Sequence, residues 1–477
     1  GIDVLHEAFT DINDSTRSRI LYIWDQNDTS TSNRNPSDIN PQFTANYGRL
    51  YTQDEIEQFM RDGSVGSHSK LRDGSSRHGT HVSGIAAGRA VGMIGDGVAP
   101  EAKLVVVIPR LEIEKGDPRS IGYSVTHLDG LLFLKEVAQQ HELPMAINIS
   151  LGQNAGSHDG SSTLEAGFDT ILDQGRLPGL VIVKSAGNER GHKGHAKVNI
   201  TTNLIESISW QSKHIRRYKD YIEGWYDSFD DLEFTLIDPD NNKSETISFD
   251  QNAGRGYEPQ KKVGTLAGGR YELRLTKNHR DNGQSLIQIF ITPNDSNGRI
   301  QAGTWQLEML RRTFGTTDGR VDFWVERTNS RAINFEQGAD DSMTLSIPGT
   351  AKHVIAVAAC SPEGPPIRLT SSSSYGPTRR SGKKPEITAP GDSIFAARAN
   401  TNDSTAGISL TGTSMAAPHV TGAIALAMSK LHKLGQKQLN AVQFKSALVR
   451  SSMDASGNHH PGRGFGILDV ENFFNSI

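Results

Sequence analysis

Two textures of hydrophobic patterning divide this chain. In the first, short β-branched runs alternate with helical periodicity. Lys103 to Ile108, Met145 to Ile149, Leu180 to Val183 and Val354 to Ala359 have the near-continuous apolar character of strands buried on both faces. Arg19 to Trp24 predicts one more short strand. Tyr123 to Gln139 places Leu128, Leu131, Leu132, Val137 and Ala138 at helical spacing, and Gln53 to Met60, Ser162 to Leu172, a stretch from Ser414, and Val442 to Val449 also predict helices. Continuous strands separated by helices predict an α/β unit: a mostly parallel sheet with helices on both faces.

The second texture interrupts the first from roughly residue 205 to 345. Leu232 to Ile237, Tyr271 to Leu275, Ile287 to Ile291, Trp305 to Met309 and Val321 to Val325 alternate at period two, with Asp-Asn, Asn-Gly and Gly-Gly turns between them. That pattern predicts an inserted antiparallel β-sandwich. The expected organisation is therefore an α/β unit in two pieces, 1–204 and 346–477, around a sandwich at 205–345. Trp210, Trp225, Trp305 and Trp324 are expected in the sandwich core rather than on a sugar-binding platform. The serine run Ser371 to Ser374 is expected in a loop.

Composition narrows the function classes. At about 150 residues per domain, 477 residues suggest about three domains. The net charge of −4 argues against a broad basic surface for nucleic acid. No apolar run reaches the roughly 18 residues of a membrane span. The single cysteine, Cys360, lies in an apolar run and is expected in the core, so no disulfide framework is predicted. The opening Gly1-Ile2-Asp3-Val4 has neither a basic nor an apolar leader region.

Four short segments carry candidate chemistry, each at a strand–helix junction. Gly412-Thr413-Ser414-Met415-Ala416-Ala417-Pro418-His419-Val420 surrounds one hydroxyl with small residues and runs into a helical pattern. Pro418 is tolerated if it falls among the first amides of the helix, which places Ser414 at or just before the helix start. There the positive end of the helix favours a developing anion; the bland alternative is an N-cap serine. His78-Gly79-Thr80-His81 has histidines three apart but lacks the spacing of a metalloprotease helix, so His78 is better read as one imidazole at a helix start, suited to act as general base for a serine. A surface histidine without a role is the alternative. Ser185-Ala186-Gly187-Asn188 follows a strand, and an asparagine amide there can donate to an oxyanion, a contact worth about 3 kcal/mol in the transition state; a turn asparagine is the alternative. Asn148-Ile149-Ser150-Leu151-Gly152 ends another strand in exposed backbone able to pair with an extended peptide, or is an ordinary loop.

In this order the segments resemble those of the subtilisin-like serine endopeptidases, the subtilases. His78 falls on the general base of the family's H-G-T-H-V-A-G motif, with Ser83 in place of the usual alanine. Ser414 falls on the nucleophile of G-T-S-M-A-x-P-H-V, and Asn188 on the oxyanion asparagine of A-G-N. Ser150, Leu151 and Gly152 match the S-L-G segment lining the primary specificity pocket, and Ser185, Ala186 and Gly187 precede the oxyanion residue. Ser373-Ser374-Tyr375-Gly376-Pro377, Lys384 to Gly391 (Glu386 replacing an aspartate) and Gly464 to Val470 resemble three further family segments. The resemblance covers about 1–200 and 345–477. It implies the three-layer subtilisin-like fold, and the inserted sandwich resembles the jelly-roll insertion of some bacterial subtilases, including the spore-germination (Csp-like) branch.

The resemblance implies a Ser-His-Asp endopeptidase acting on protein or peptide substrates, with no cofactor for catalysis. It also implies structural calcium, though no ligands are assigned and Asp25, Asn27 and Asp28 suit a turn equally. It implies an extracellular location, with a spore or cytoplasmic one as alternatives, and a propeptide or separate N-terminal fragment as a partner. The family's catalytic aspartate lies in D-[ST]-G, whose third position matches Gly1, so the aspartate and its strand are expected upstream of Gly1. Asp3 is the nearest carboxylate and a poor substitute. A catalytically silent binding or regulatory protein of the same fold is the competing function, and an ester hydrolase a further one.

Overall fold

The computed structural model describes residues 1–29, 34–41, 43, 45–73, 77–111, 124–217, 219–249, 259–294, 298–312, 317–326, 332–362, 368–453 and 457–477. The first α/β piece contains β1 (Ile20–Asp25), β2 (Arg49–Thr52), α1 (Gln53–Asp62), α2 (His78–Ala87), β3 (Leu104–Ile108), α3 (Ser124–Gln140), β4 (Met145–Ile149), α4 (Thr163–Ile171) and β5 (Leu180–Ser185). Tyr123, the expected start of α3, lies outside the described residues. The sandwich follows with β6 (His195–Asn199), β7 (Ile205–Ser212), β8 (Asp220–Tyr226), β9 (Leu232–Ile237), β10 (Gln260–Leu266), β11 (Gly269–Thr276), β12 (Ser285–Thr292), β13 (Gly303–Arg311), β14 (Arg320–Val325) and β15 (Ile333–Gln337). The second α/β piece holds β16 (Ile355–Cys360), β17 (Ile387–Pro390), the hairpin β18 (Ile394–Ala397) and β19 (Gly407–Leu410), α5 (Thr413–Lys433), α6 (Ala441–Ser451) and α7 (Val470–Asn475).

β4, β5, β16 and β17 form a parallel sheet in the order β17-β16-β5-β4, with Ile147 opposite Ile182 and Ile355 opposite Val183. Every residue of β5 and β16 is buried. β5 shows why its sequence is continuously apolar. Val181 and Val183 join a core with Ala416, Val420 and Ile424 of α5. Leu180 and Ile182 join the opposite core with Leu131 of α3 and Phe168 of α4. The period-two alternation is present, but both faces are covered, giving the three-layer arrangement.

β1, β2 and β3 form a separate sheet in the order β2-β1-β3, in which β1 pairs antiparallel with β2 and parallel with β3. Among the described residues, β3 pairs only with β1 and β4 only with β5. Most of β3 and of β4 is half-buried. Val105 and Val107 of β3 nevertheless share a core with Met145, Ile147 and Ile149 of β4 and with α3. The two unpaired edges thus border one core.

The sandwich packs a six-stranded sheet, β10-β11-β12-β8-β14-β6, on a four-stranded one, β15-β7-β13-β9, with antiparallel pairing throughout. Its strands begin at His195, upstream of the 205 suggested by texture, because β6 is short and mostly polar yet pairs with β14. Trp210 and Trp305 fill the core with Phe234, Leu307 and Phe323. The other two tryptophans depart from expectation. Phe323 and Val325 point inward, so Trp324 between them points to the opposite face, as does Trp225, and both pack with Leu286 and Met343. That outer face meets the α/β unit. Trp324 stacks on His158 of the α/β unit and on His195, with ring centroids 4.1 and 4.8 Å away. Arg379 donates to Ser157 O at 2.7 Å beside Asp159, which accepts from Asn282 of the sandwich at 3.1 Å. No helix among the described residues is long and apolar enough to cross a membrane. Cys360 is buried at the end of β16.

Candidate active site

The serine sits where a helix begins. α5 starts at Thr413 with Gly412 as N-cap, so Ser414 is its second residue. Counting from Thr413, Pro418 is the sixth, not one of the first four as the sequence reading required. Its missing N–H would have bonded Ser414 O in a regular helix. That carbonyl instead accepts the Ser150 hydroxyl at 3.0 Å. The proline thereby frees the acceptor that ties the serine's backbone to the segment after β4. Ser150 Oγ in turn accepts from Asn148 Nδ2 at 3.0 Å, and Ser414 Oγ lies 3.5 Å from Ser150 O.

Asn188 lies against the same helix start. Its Oδ1 accepts from Thr413 N at 2.9 Å and from Thr413 Oγ1 at 3.1 Å, while Gly187 N donates to Thr413 Oγ1 at 3.1 Å. Two donors on Oδ1 fix the amide, so Nδ2 has a defined direction. Gly412 permits the approach: its φ is +152°, and a Cβ there would stand 3.1 Å from Asn188 Nδ2. Gly152 and Gly187 both face the Ser346 hydroxyl, which a Cβ would meet at 2.5 and 2.9 Å. Ser185 and Ala186 are turned inward: Ala186 N donates to Val357 O, Ala186 O accepts from Ser346 N, and Ser185 Oγ accepts from Lys184 Nζ at 3.1 Å. Leu151 is half-buried at the rim of the α3–α4 core.

His78 is the first residue of α2, and α2 packs against α5. Burial holds the imidazole below its ordinary value of 6.5; the carboxylate of Asp73 opposes that shift, while His81 adds to it. A neutral imidazole at pH 7 is the form a general base requires. Asp73 Oδ2 accepts from Thr80 N at 2.9 Å. Asp3 faces elsewhere: its carboxylate meets Arg72 Nε at 2.9 Å and Asn400 N at 2.7 Å. His81 donates through Nε2 to the carbonyls of Ile394 and Ile408, tying α2 to the β18–β19 hairpin.

Several residues at the site carry little or no signal in the sequence. Lys184 is fully buried at the end of β5, and its ammonium donates to Ser185 O, Ser185 Oγ and Ser346 Oγ. The only signal was a lysine closing an otherwise apolar strand. Ser346, on the return from the sandwich, had none. Ser373 and Ser374 lie in a loop as expected, but both are fully buried. Ser374 Oγ accepts from Glu189 N at 3.0 Å, bracing the residue after Asn188. Glu386 bonds Lys384 Nζ, Lys445 Nζ and Ala356 N. Asp25 Oδ1 accepts from both nitrogens of Asn27, an Asx turn. Among the described residues no group of three His, Cys, Asp or Glu side chains is placed to hold a metal ion.

The chain is similar to known proteins in both sequence and fold. The family model described as "Subtilase family" matches residues 28–216 and 291–467. The chain is 31% identical over 134 residues to an extracellular basic protease of Dichelobacter nodosus, covering 27% of this chain and 20% of that protein. It is 30% identical over 166 residues to a thermostable alkaline protease of Halalkalibacterium halodurans, covering 33% and 42%. The matched segments thus span a fifth to about two fifths of these relatives. The structure of the Clostridium perfringens CspB protease superposes with a TM-score of 0.78 at 24% identity, covering 99% of this chain and 90% of that one, and so shares this fold, insertion included.

Proposed function

The chain belongs to the subtilase family, and from that premise we propose that it is a serine endopeptidase working through an acyl-enzyme. The observation that carries the reading is the fixed Asn188 amide at the helix start that presents Ser414. Ser414 Oγ attacks the peptide carbonyl carbon while His78 takes its proton. The Asn188 amide and the Ser414 N–H hold the resulting oxyanion. The C–N bond then breaks, with the proton passing from His78 to the leaving amine. Water deprotonated by His78 releases the acid and regenerates the serine. Ser150, Leu151 and Gly152, with Ser185 to Gly187 behind them, form one wall of a groove in which the substrate pairs as an added strand.

A complete triad needs a carboxylate to orient His78. The edges of β3 and β4 that have no partner among the described residues border one core and suit a single inserted parallel strand. We place the aspartate on such a strand, carried by sequence preceding Gly1 or by a separate N-terminal fragment. Calcium has no assigned ligands and no role in these steps. An extracellular site of action is supported by the likeness to the Dichelobacter nodosus protease.

The second reading, a silent binding or regulatory protein, is favoured by one observation: Asp73, the carboxylate whose field acts on His78, also caps α2 through Thr80. Fluorophosphonate labelling read by intact mass separates the two. The chain with its aspartate-bearing segment should label at Ser414, and its Ser414→Ala form should not. A folded, complete protein that stays unlabelled across a broad pH range sinks the peptidase reading.

A further inference from the structure

The segment after the specificity stretch turns its amides toward the sandwich. Asn154 N and Ala155 N donate to Glu326 Oε2 at 3.2 and 2.6 Å, and Gly156 N donates to Glu223 Oε2 at 2.7 Å. Asn154 Nδ2 also reaches Val325 O at 3.2 Å. Both carboxylates belong to the insertion. Glu223 lies on β8 and Glu326 directly follows β14, where Val325 pairs with Ile222. They are 7% and 1% exposed. Three successive backbone N–H groups therefore converge on two buried carboxylates, a nest-like arrangement built across two units.

Burying two carboxylates side by side is costly unless their acceptor sites are filled. Glu223 also accepts from Tyr221 Oη and Trp225 Nε1, and the loop amides provide further charge-assisted bonds. An apolar contact would hold the loop in place without setting its backbone direction. These bonds fix the orientation of 154–156, and that segment begins two residues beyond Gly152. Gln153 is held by reciprocal hydrogen bonds with Ile347, on the return from the sandwich, at 3.1 and 2.9 Å. Gly152 faces Ser346, and Ser150 bonds the Ser414 carbonyl. A continuous path of short contacts thus runs from the insertion to the groove wall.

We propose that Glu326 and Glu223 are positioning residues for peptide binding, so that the inserted sandwich sets the register of the groove at Ser150 to Gly152. This rests on the peptidase reading for the groove's purpose. Binding and labelling are tested separately so that either can fail alone.

Binding of oxidised insulin B chain to the full chain in its Ser414→Ala form requires no catalysis and is measured by calorimetry. Glu326→Gln removes the negative charge and leaves one acceptor oxygen in place of two, so the bonds from the loop amides lose their charge assistance. It should raise the dissociation constant about tenfold, as expected for misplacing one or two backbone hydrogen bonds. In the serine-containing protein with its aspartate segment, the loss of peptide affinity should exceed any loss in fluorophosphonate labelling rate about fivefold or more. A small phosphonate uses the serine and oxyanion donors but not the extended groove. Hydrogen exchange should quicken at Asn154 to Gly156 and not in β5. Unchanged affinity in folded Glu326→Gln, or equal losses in affinity and labelling, overturns the proposal. If Glu326→Gln does not fold, Glu223→Gln is judged by the same criteria. No binding of the peptide to the Ser414→Ala protein also overturns it. Binding without labelling of the complete wild type sinks the peptidase reading alone.

Discussion

The two halves of the α/β sheet system differ in closure. β5 and β16 are paired on both sides and covered on both faces, and every residue they carry is buried. β3 and β4 are also mostly aliphatic, yet each has one unpaired edge among the described residues and most of each is half-buried. The closed half positions Asn188 and, through α5, Ser414. α2, which begins at His78, packs on α5 and on the β18–β19 hairpin. Asn188 and Ser414 are therefore both held by the closed half.

The largest expected effect comes from closing the open half. Supplying an aspartate-bearing strand in cis or as a fragment should raise turnover by about 10⁴, the cost of an absent aspartate in serine proteases generally. Amide exchange in β3 and β4 should slow at the same time. Activity restored with no added protection in those strands would break the comparison, because the segment would then bind elsewhere. Next in size are core truncations. Ile182→Ala in β5 should cost about 2–5 kcal/mol of stability in urea unfolding. Ile149→Ala, half-buried on β4, should cost clearly less in this chain and approach the β5 value once the strand is supplied. Equal costs in the unsupplemented chain would show the open edge to be closed already.

A smaller effect lies on the closed side at Glu165, in α4. Burial pushes its carboxyl up to about 7 from 4.5, with bonds from Thr350 and Ser162 opposing the shift. The folded state thus holds the proton more tightly than the unfolded chain. The resulting stabilisation is complete below about pH 4.5 and is lost as pH rises through about 7, at most about 3 kcal/mol. Glu165→Gln should flatten that slope in urea midpoints measured between those limits. The smallest effect is a shifted pH profile. Because burial lowers the His78 value, labelling by the unsupplemented chain should fall only at pH below 6.5, as the base becomes protonated. An added aspartate should move that acid limb upward. A limb that stays in place would mean that the new carboxylate does not reach the imidazole.

Patterning and motif order made most of the architecture legible. Leu232 to Ile237 matches β9 residue for residue, and Gln53, Ser162 and Val442 each fall at or within one residue of a helix start. At the last of these Asn440 accepts from Gln443 N and so moves the start to Ala441. Glycine, serine and asparagine at strand ends marked the site because close approach and exposed donors need those residue types. Such features are local, and local sequence encodes them. Tertiary structure alone decided the rest. Pro418 looked like a first-turn proline, and only its place in α5 revealed that it frees Ser414 O for Ser150. Trp225 and Trp324 looked like sandwich core and instead face the α/β unit, since alternation gives two faces without saying which is the inner one. Lys184 with Ser346, and Glu223 and Glu326 with the amides of 154–156, are meetings between distant parts of the chain. A buried charge is tolerable only through partners that folding supplies, and one residue's type cannot name a partner 67 to 171 positions away.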